Sequence, residues 1–254
     1  MKVPEQRWRE AQLFERGYWA GQQRPVVFRA LRRAVKLMVS DRATLRAVLA
    51  HKDRHFYGDD CNYWWLEKFG SYEDLPSRAP NALEVGCGPQ TNLRLIARHT
   101  RVSRLYGTDP LMPTYLQLAG CWVRSMHRAG KLEVTQAKAE ALSFPDDSMH
   151  LLACINVLDH CQDAEAAIQE MHRVLVPNGC FVLGVELTNE DDLKIIGDDP
   201  GHPLRFTHDA MDALILPRFQ VVKREVLTRE ESRIPSYHYG TYIFIGRKLE
   251  VTSN

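Results

Sequence analysis

The pattern of apolar and polar positions divides this 254-residue chain into two textures. Up to about residue 70 it is helical. Residues 5–20 and 25–50 read as helical, the second as one helix or as a pair broken at Ser40-Asp41. In the second stretch Val27, Leu31, Val35, Met38, Leu45, Val48 and Leu49 recur at three- and four-residue steps, the repeat that lines one face of an α-helix. Arg29, Arg32, Arg33, Lys36, Arg42 and Arg46 fill much of the other face. Residues 55–70 are dense in aromatics (His55, Phe56, Tyr57, Tyr63, Trp64, Trp65, Phe69), as core packing or as a lid that closes over a ligand.

From residue 81 short apolar runs alternate with helical stretches. Strands are expected at 81–85, 104–108, 131–136, 150–155, 180–186, 220–228 and 241–247. Helices are expected at 92–99, 115–129, 164–175 and 207–216, and the segment 187–206 reads as a long polar loop. Repeated strand–helix alternation implies a parallel sheet with helices on both faces. The expected division is a helical cap, a substrate-side extension, over residues 1–75 and a sheet domain over 76–254.

Composition narrows the picture. Apolar residues make up 44% and charged residues 26%, which excludes a disordered chain or a fibrous rod. No apolar run approaches the ~20 residues that cross a bilayer. The charged N-terminus does not read as a secretory signal. Cysteines at 61, 87, 121, 154, 161 and 180 form no C-x-x-C pair, so buried reduced thiols in a cytoplasmic protein are expected. The net charge of +1 hides an asymmetry, because residues 1–54 carry +8 and the remainder −7. A basic front favours an anionic acceptor or a membrane surface, met through the helix at 25–50, or docks on the acidic body. The near-neutral total disfavours nucleic acid as a partner.

The chemistry lies in Glu84-Val85-Gly86-Cys87-Gly88-Pro89-Gln90-Thr91. Glycines two apart, between a strand and a helix, let the backbone pass close to a ligand. A dinucleotide site wants a third glycine where Thr91 stands. Asp109 ends the next strand, 23 residues after Gly86, where a carboxylate can bond a ribose hydroxyl. Glu84 beside the turn would repel phosphates but could help hold an ammonium or sulfonium ligand. A nucleoside without a pyrophosphate is the ligand these features favour. Each has a plainer account: a strand-end cap for Asp109, a structural acid for Glu84, an empty tight turn for the glycines.

Four segments taken in order resemble the class I S-adenosylmethionine-dependent methyltransferases. They are Glu84–Gly88, Tyr106–Pro110, Ala139–Ser148, and Asn156–His160 followed by Glu170–Cys180. The resemblance covers roughly residues 80–250. It implies a Rossmann-like, seven-stranded, mostly parallel sheet with the last strand antiparallel, and S-adenosyl-L-methionine as cofactor. By the same resemblance Gly86 and Gly88 would lie against the methionine part and Asp109 would take the ribose hydroxyls. Pro110 and Leu111 would pack on the adenine face, and Ala139 would offer its N–H to the ring. Asn156 would sit beside the methionine moiety. Where relatives carry an acid for the adenine amino group this chain has Lys138, and Glu140 is placed to take over.

The implied activity is methyl transfer to oxygen or nitrogen of a small molecule such as a natural product, a sugar or a lipid-linked precursor. A nucleic-acid methyltransferase and a non-catalytic binding scaffold are the alternatives. Ligands in such folds gather at the carboxyl ends of the strands. This puts Asp159 and His160 first as catalytic residues, His160 being the natural general base; capping or packing of the next helix is the plainer role. His202, His208 and His238 read as surface histidines, Tyr237–Tyr239 as a further pocket wall, and no spacing argues for a metal.

Overall fold

The computed structural model describes residues 1–22, 59–118, 120–197 and 199–249. The basic helix expected at 25–50 and the aromatics His55, Phe56 and Tyr57 lie outside the described residues. The described chain opens with α1 (Glu5–Gln22), α2 (Asp60–Lys68) and a 3₁₀ turn (Gly70–Tyr72). It continues with β1 (Arg78–Val85), α3 (Leu93–Ile96), β2 (Arg101–Thr108), α4 (Met112–Tyr115), α5 (Trp122–Arg128), β3 (Glu133–Thr135) and β4 (Met149–Ile155). After a 3₁₀ turn at Leu158–His160 come α6 (Ala164–Val174), β5 (Leu175–Leu187), α7 (Glu190–Ile196), α8 (His208–Ile215), β6 (Phe219–Leu227) and β7 (Gly240–Lys248).

The seven strands form one sheet in the order β3-β2-β1-β4-β5-β7-β6. β1 to β5 pair in parallel, and β7 runs antiparallel to both β5 and β6. The parallel part is what the strand–helix alternation implied, the antiparallel last strand is what the family resemblance implied, and the chain order reverses between β1 and β4. Ligands in open α/β sheets bind at such a reversal, outside the carboxyl ends of the strands.

Each face of the sheet carries its own core. On one, Ile168 and Met171 of α6 and Met211 of α8 pack on Phe181, Phe219 and Phe244. On the other, Trp65, Phe69 and Tyr72 join Leu93, Leu95 and Val182. Burying a side chain of Leu or Phe size stabilises by roughly 1.5–3 kcal/mol, so these layers carry most of the fold. α2 therefore belongs to the core of the sheet: Trp65 and Phe69 are fully buried. α6 follows from its sequence. Asp163 accepts a hydrogen bond from Ala166 N (3.3 Å) as N-cap, and Ala164, Ala167, Ile168, Met171 and Val174 share the buried face.

Three expectations are corrected. The helix expected over 115–129 is two pieces, because Gly120 turns the chain with φ +71° and Cys121 recaps α5 through its sulfur. β5 begins at Leu175 and passes through the expected Pro177-Asn178-Gly179 turn, which becomes a register shift opposite Met149–Leu151. The segment 187–206 contains α7. Asn189 and Asp192 cap it reciprocally (2.9 and 3.1 Å), a signal legible in the sequence as a capping box. No described helix is long and apolar enough to cross a membrane.

Candidate active site

A cavity of about 300 Å³ opens at the carboxyl ends of β1, β2 and β4. The turn after β1 forms its floor. Gly86 (φ +67°) lies so close to Val157 that a β-carbon would stand 2.2 Å from its methyl carbon. Gly88 (φ +52°) has open space where a side chain would be. Both positions suit glycine alone, one for close packing and one for a clear cavity floor.

Glu84 lies behind this turn, fully buried. Its carboxylate accepts from Asn92 N (3.1 Å), Asn92 Nδ2 (2.8 Å), Leu93 N (3.3 Å) and the Thr91 hydroxyl. Burial pushes its carboxyl above the ordinary value, and those four donors hold it back. Glu84 thus anchors the turn and the start of α3. Its oxygens are engaged with the chain, and the role of holding a charged ligand passes to other groups. Thr91, which stands where a dinucleotide site has glycine, is one of its donors.

Asp109, at the end of β2, is buried and lines the cavity. Gly88 N donates to one oxygen (3.2 Å) and Leu111 N to the other (2.8 Å). A carboxylate has about four lone-pair sites, so acceptor capacity remains for hydroxyls of a ligand. Burial pushes its carboxyl up to about 7 against the pull of these two N–H groups. Asn156 follows β4 with φ +59°, and its N–H bonds Gly184 O (2.7 Å). Its buried side-chain oxygen has no partner, and the residue lines the cavity. An orphaned amide oxygen beside a glycine floor fits an ammonium group, and Asp109 fits a ribose diol. The residues present therefore suit S-adenosylmethionine.

The adenine end is walled by Pro110, Leu111, Ala139 and Glu140. Glu140 is partly committed: one oxygen accepts from Gln162 N (2.7 Å) and Asp163 N (3.0 Å). Lys138 points away from an adenine role. Its ammonium lies 3.7 Å over the Trp8 ring and 3.2 Å from Glu5 Oε2. Through these contacts α1 lies across the cavity as a roof, with Trp8, Gln12, Tyr18 and Trp19 facing in. Its other side is pinned by Arg7, which donates to Asp199 O and Pro200 O (both 2.8 Å). Trp65 of α2 closes a further wall.

The opposite end holds His160, on the 3₁₀ turn after β4, which lines the cavity. Its Nδ1 lies 3.0 Å from Gly201 O. Asp159 is 3% exposed, and its Oδ1 has no hydrogen-bond partner. His202 comes from the segment before α8 and stands with its ring centroid 4.4 Å from that of His160. Burial pushes the His202 ring down, but the Asp199 hydrogen bond (2.6 Å) and the charges of Asp159 and Asp199 leave it raised. Burial likewise pushes Asp199 up, and His202, Gly201 N–H and Arg205 more than reverse it, holding the carboxyl well below the usual range.

All eleven site residues named from the sequence lie at this end of the sheet, and all but Asp159 are cavity walls. The surface role expected of His202 is corrected by its place beside Asp159. His208 stays half-exposed at the start of α8. His238 is buried 3.1 Å from Glu186, and Tyr237–Tyr239 are not among the walls of this cavity. The roof residues of α1 carried no motif; the sequence led only to the expectation that an N-terminal cap lies on the substrate side. All six cysteines are free and five of them are buried, in line with the reduced, buried thiols expected from the sequence.

Comparison with known proteins gives a family model described as a methyltransferase domain, matching residues 83–183. The "Probable S-adenosylmethionine-dependent methyltransferase Rv3030" of Mycobacterium tuberculosis is 32% identical over 124 residues, 48% of this chain and 42% of that protein. The chain thus spans less than half the length of such curated relatives. Among solved structures, the YcgJ protein of Bacillus subtilis superposes with a TM-score of 0.57 at 18% identity, over 73% of this chain and 98% of that one. The [4+2]-cyclase SpnF superposes with a TM-score of 0.56 at 18% identity, over 74% and 81%.

Proposed function

We propose, from the premise that this chain carries a class I S-adenosylmethionine-dependent methyltransferase domain, that it methylates an oxygen or nitrogen of a small-molecule acceptor. A fold shared with a cyclase does not by itself name a reaction, so the reading rests on the site. The observation that carries it is the roofed cavity. Its walls include Gly88, Asp109 and His160, under the aromatic side chains of α1. A cavity of that size between aromatic walls suits a small acceptor or a protruding terminal group better than a nucleic-acid duplex.

When bound, the sulfonium supplies an electrophilic methyl group; the chain's own residues do the rest. Asp109 would hold the ribose and Asn156 the methionine moiety of the cofactor, so that the methyl group is presented in one direction. The acceptor lies between that group and His160, and much of the rate comes from this alignment. The carbonyl of Gly201 can only accept, so His160 carries its proton on Nδ1. Nε2 is left to take the acceptor's proton as the new bond forms. The aromatic roof excludes water, which would otherwise compete for the methyl group.

We place the cap at residues 1–75, with α1 as its roof over the ligand and Trp65 of α2 as a further wall. An anionic acceptor or a membrane surface met through the basic residues 25–50 remains our reading of the charge asymmetry, as does a cytoplasmic location.

The test is mass spectrometry on protein purified under native conditions, to identify a co-purifying adenosyl compound. A screen of hydroxyl- and amine-bearing acceptors for a cofactor-dependent gain of one methyl then follows. Absence of adenosyl binding by calorimetry would sink the reading. Binding without turnover on any acceptor would favour the scaffold alternative, and turnover confined to nucleic acid would favour the second.

A further inference from the structure

We propose that Asp159, His160 and His202 form a binding site for a divalent transition-metal ion at the acceptor end of the cavity. The three residues come from two places: the 3₁₀ turn that ends β4, and the segment between α7 and α8. Their side-chain ligand atoms all lie within 4.8 Å of one another. His160 Nε2 stands 3.9 Å from one oxygen of Asp159, and His202 Nε2 stands 3.9 Å from the other. These distances are too long for hydrogen bonds. Two imidazoles and a carboxylate face one another without bonding to one another.

The remaining ring nitrogens explain why. His160 Nδ1 is 3.0 Å from the Gly201 carbonyl, and His202 Nδ1 is 2.6 Å from Asp199 Oδ2. Carbonyl and carboxylate oxygens accept only, so in each neutral ring the proton resides on Nδ1. Each Nε2 then directs a lone pair toward Asp159. Orientation of a ligating imidazole by a carbonyl or carboxylate on its other nitrogen is the arrangement that surrounds metal-bound histidines. Asp159 gives the independent sign: it is buried, and its Oδ1 has no hydrogen-bond partner. A buried carboxylate oxygen without a donor is costly, and a cation between it and the two lone pairs would satisfy all three.

Metal–ligand bonds of about 2.0–2.2 Å put ligand atoms roughly 3–3.5 Å apart. Side-chain rotations that draw the three groups in by about 1 Å would therefore seat the ion. Two imidazoles and one carboxylate suit Zn²⁺, Co²⁺ or Fe²⁺ better than Mg²⁺ or Ca²⁺, which prefer oxygen alone. Three ligands leave at least one position open. Because His160 is a wall of the cavity, that position is within reach of the acceptor.

Only this last consequence rests on the methyl-transfer reading. It narrows the acceptor to an oxygen nucleophile, a hydroxyl bound to the ion. Its O–H would give its proton to water, since His160 Nε2 is then occupied as a ligand. Ligation and general-base action by His160 exclude each other.

The experiment takes the full chain, stripped with a chelator and titrated with ZnCl₂ by calorimetry and with CoCl₂ by visible absorption. One ion per chain is expected. His202→Ala and Asp159→Asn should each weaken Zn²⁺ binding by at least about 100-fold, and Asp199→Asn, which loses only the orienting carboxylate, by about 10–100-fold. Binding of S-adenosylhomocysteine to the same variants, measured without metal, should stay within about twofold of the parent, a spread of under 0.5 kcal/mol. No stoichiometric Zn²⁺ binding, or binding equal in the parent and in all three variants, overturns the proposal. If His202→Ala fails to fold by circular dichroism, Asp159→Asn and His202→Gln decide. Loss of adenosyl binding in the parent would sink the methyl-transfer reading and leave the ion site to stand on its own titration.

Discussion

The two ends of the cavity are built on opposite plans. At the glycine turn the two carboxylates are tied to their own neighbourhood. Glu84 accepts four hydrogen bonds from residues 91–93, and Asp109 accepts one N–H on each oxygen. At the acceptor end, Asp159 is buried with an unpartnered oxygen, and two histidines face it at 3.9 Å. The first is a mould whose carboxylates are held by the chain itself, with Asn156 Oδ1 left open for a ligand. The second holds unused bonding capacity, which is where a ligand or ion gains most. Damage to the mould should therefore appear in stability and cofactor affinity together. Damage to the acceptor end should appear in turnover or ion binding alone.

The largest expected effect is on turnover. His160→Ala should lower methyl transfer to the identified acceptor by about 10²–10⁴-fold, with cofactor affinity within about twofold of the parent. A parent-like rate across pH would remove His160 from the chemistry. Next comes the turn itself. Gly86→Ala puts a β-carbon 2.2 Å from Val157 at a positive φ and should cost about 3 kcal/mol in urea unfolding. A loss below about 1 kcal/mol would mean that Val157 yields easily and the mould is softer than described.

Asp109 sharpens the comparison through pH. Its carboxyl is raised to about 7 in the folded protein by burial, above its ordinary value of about 3.9. The folded state therefore holds this proton more tightly. The group's contribution to stability without cofactor is full below about pH 4 and is lost as pH rises to about 7. Cofactor affinity should move the other way, rising as the carboxylate forms and accepts the ribose hydroxyls. Asp109→Asn should flatten both trends and weaken cofactor binding by about 1–3 kcal/mol. Calorimetry and thermal unfolding at pH 6 and 8 check it, and an affinity that falls with pH in the parent would contradict it.

The smallest effect concerns the roof. Lys138→Ala removes the cation over Trp8 and the contact with Glu5, both partly exposed. It should loosen α1 by about 0.5–1 kcal/mol. Hydrogen exchange confined to residues 5–22 should report it, and unchanged protection would show that Arg7 and the backbone bond from Val3 suffice.

The two ends also differed in legibility. The turn, Glu84 and Asp109 lie within 26 residues of one another and sit at strand ends, so spacing alone brought them together. Even so, the direction of Glu84 escaped the sequence. A carboxylate beside a glycine turn can face the ligand or the following helix, and only the positions of Asn92 and Leu93 decide. The acceptor end was half legible. Asp159 and His160 follow an apolar strand, but His202 stands after another strand and a short helix, in a polar segment that reads as solvated. The recapping at Cys121 and the bulge at Pro177–Gly179 were hidden for a similar reason, since tertiary contacts overrode the local period.

The sequence by itself determined the parallel sheet class and the place of the glycine turn and Asp109 at strand ends. Those depend on periodicity, strand ends and glycine, which act over a few neighbouring residues. Tertiary structure alone decided that α1 roofs the cavity, that Glu84 faces inward and that His202 meets Asp159. Such pairings depend on where distant segments dock, and docking is set by the packing of whole faces, which no local pattern encodes.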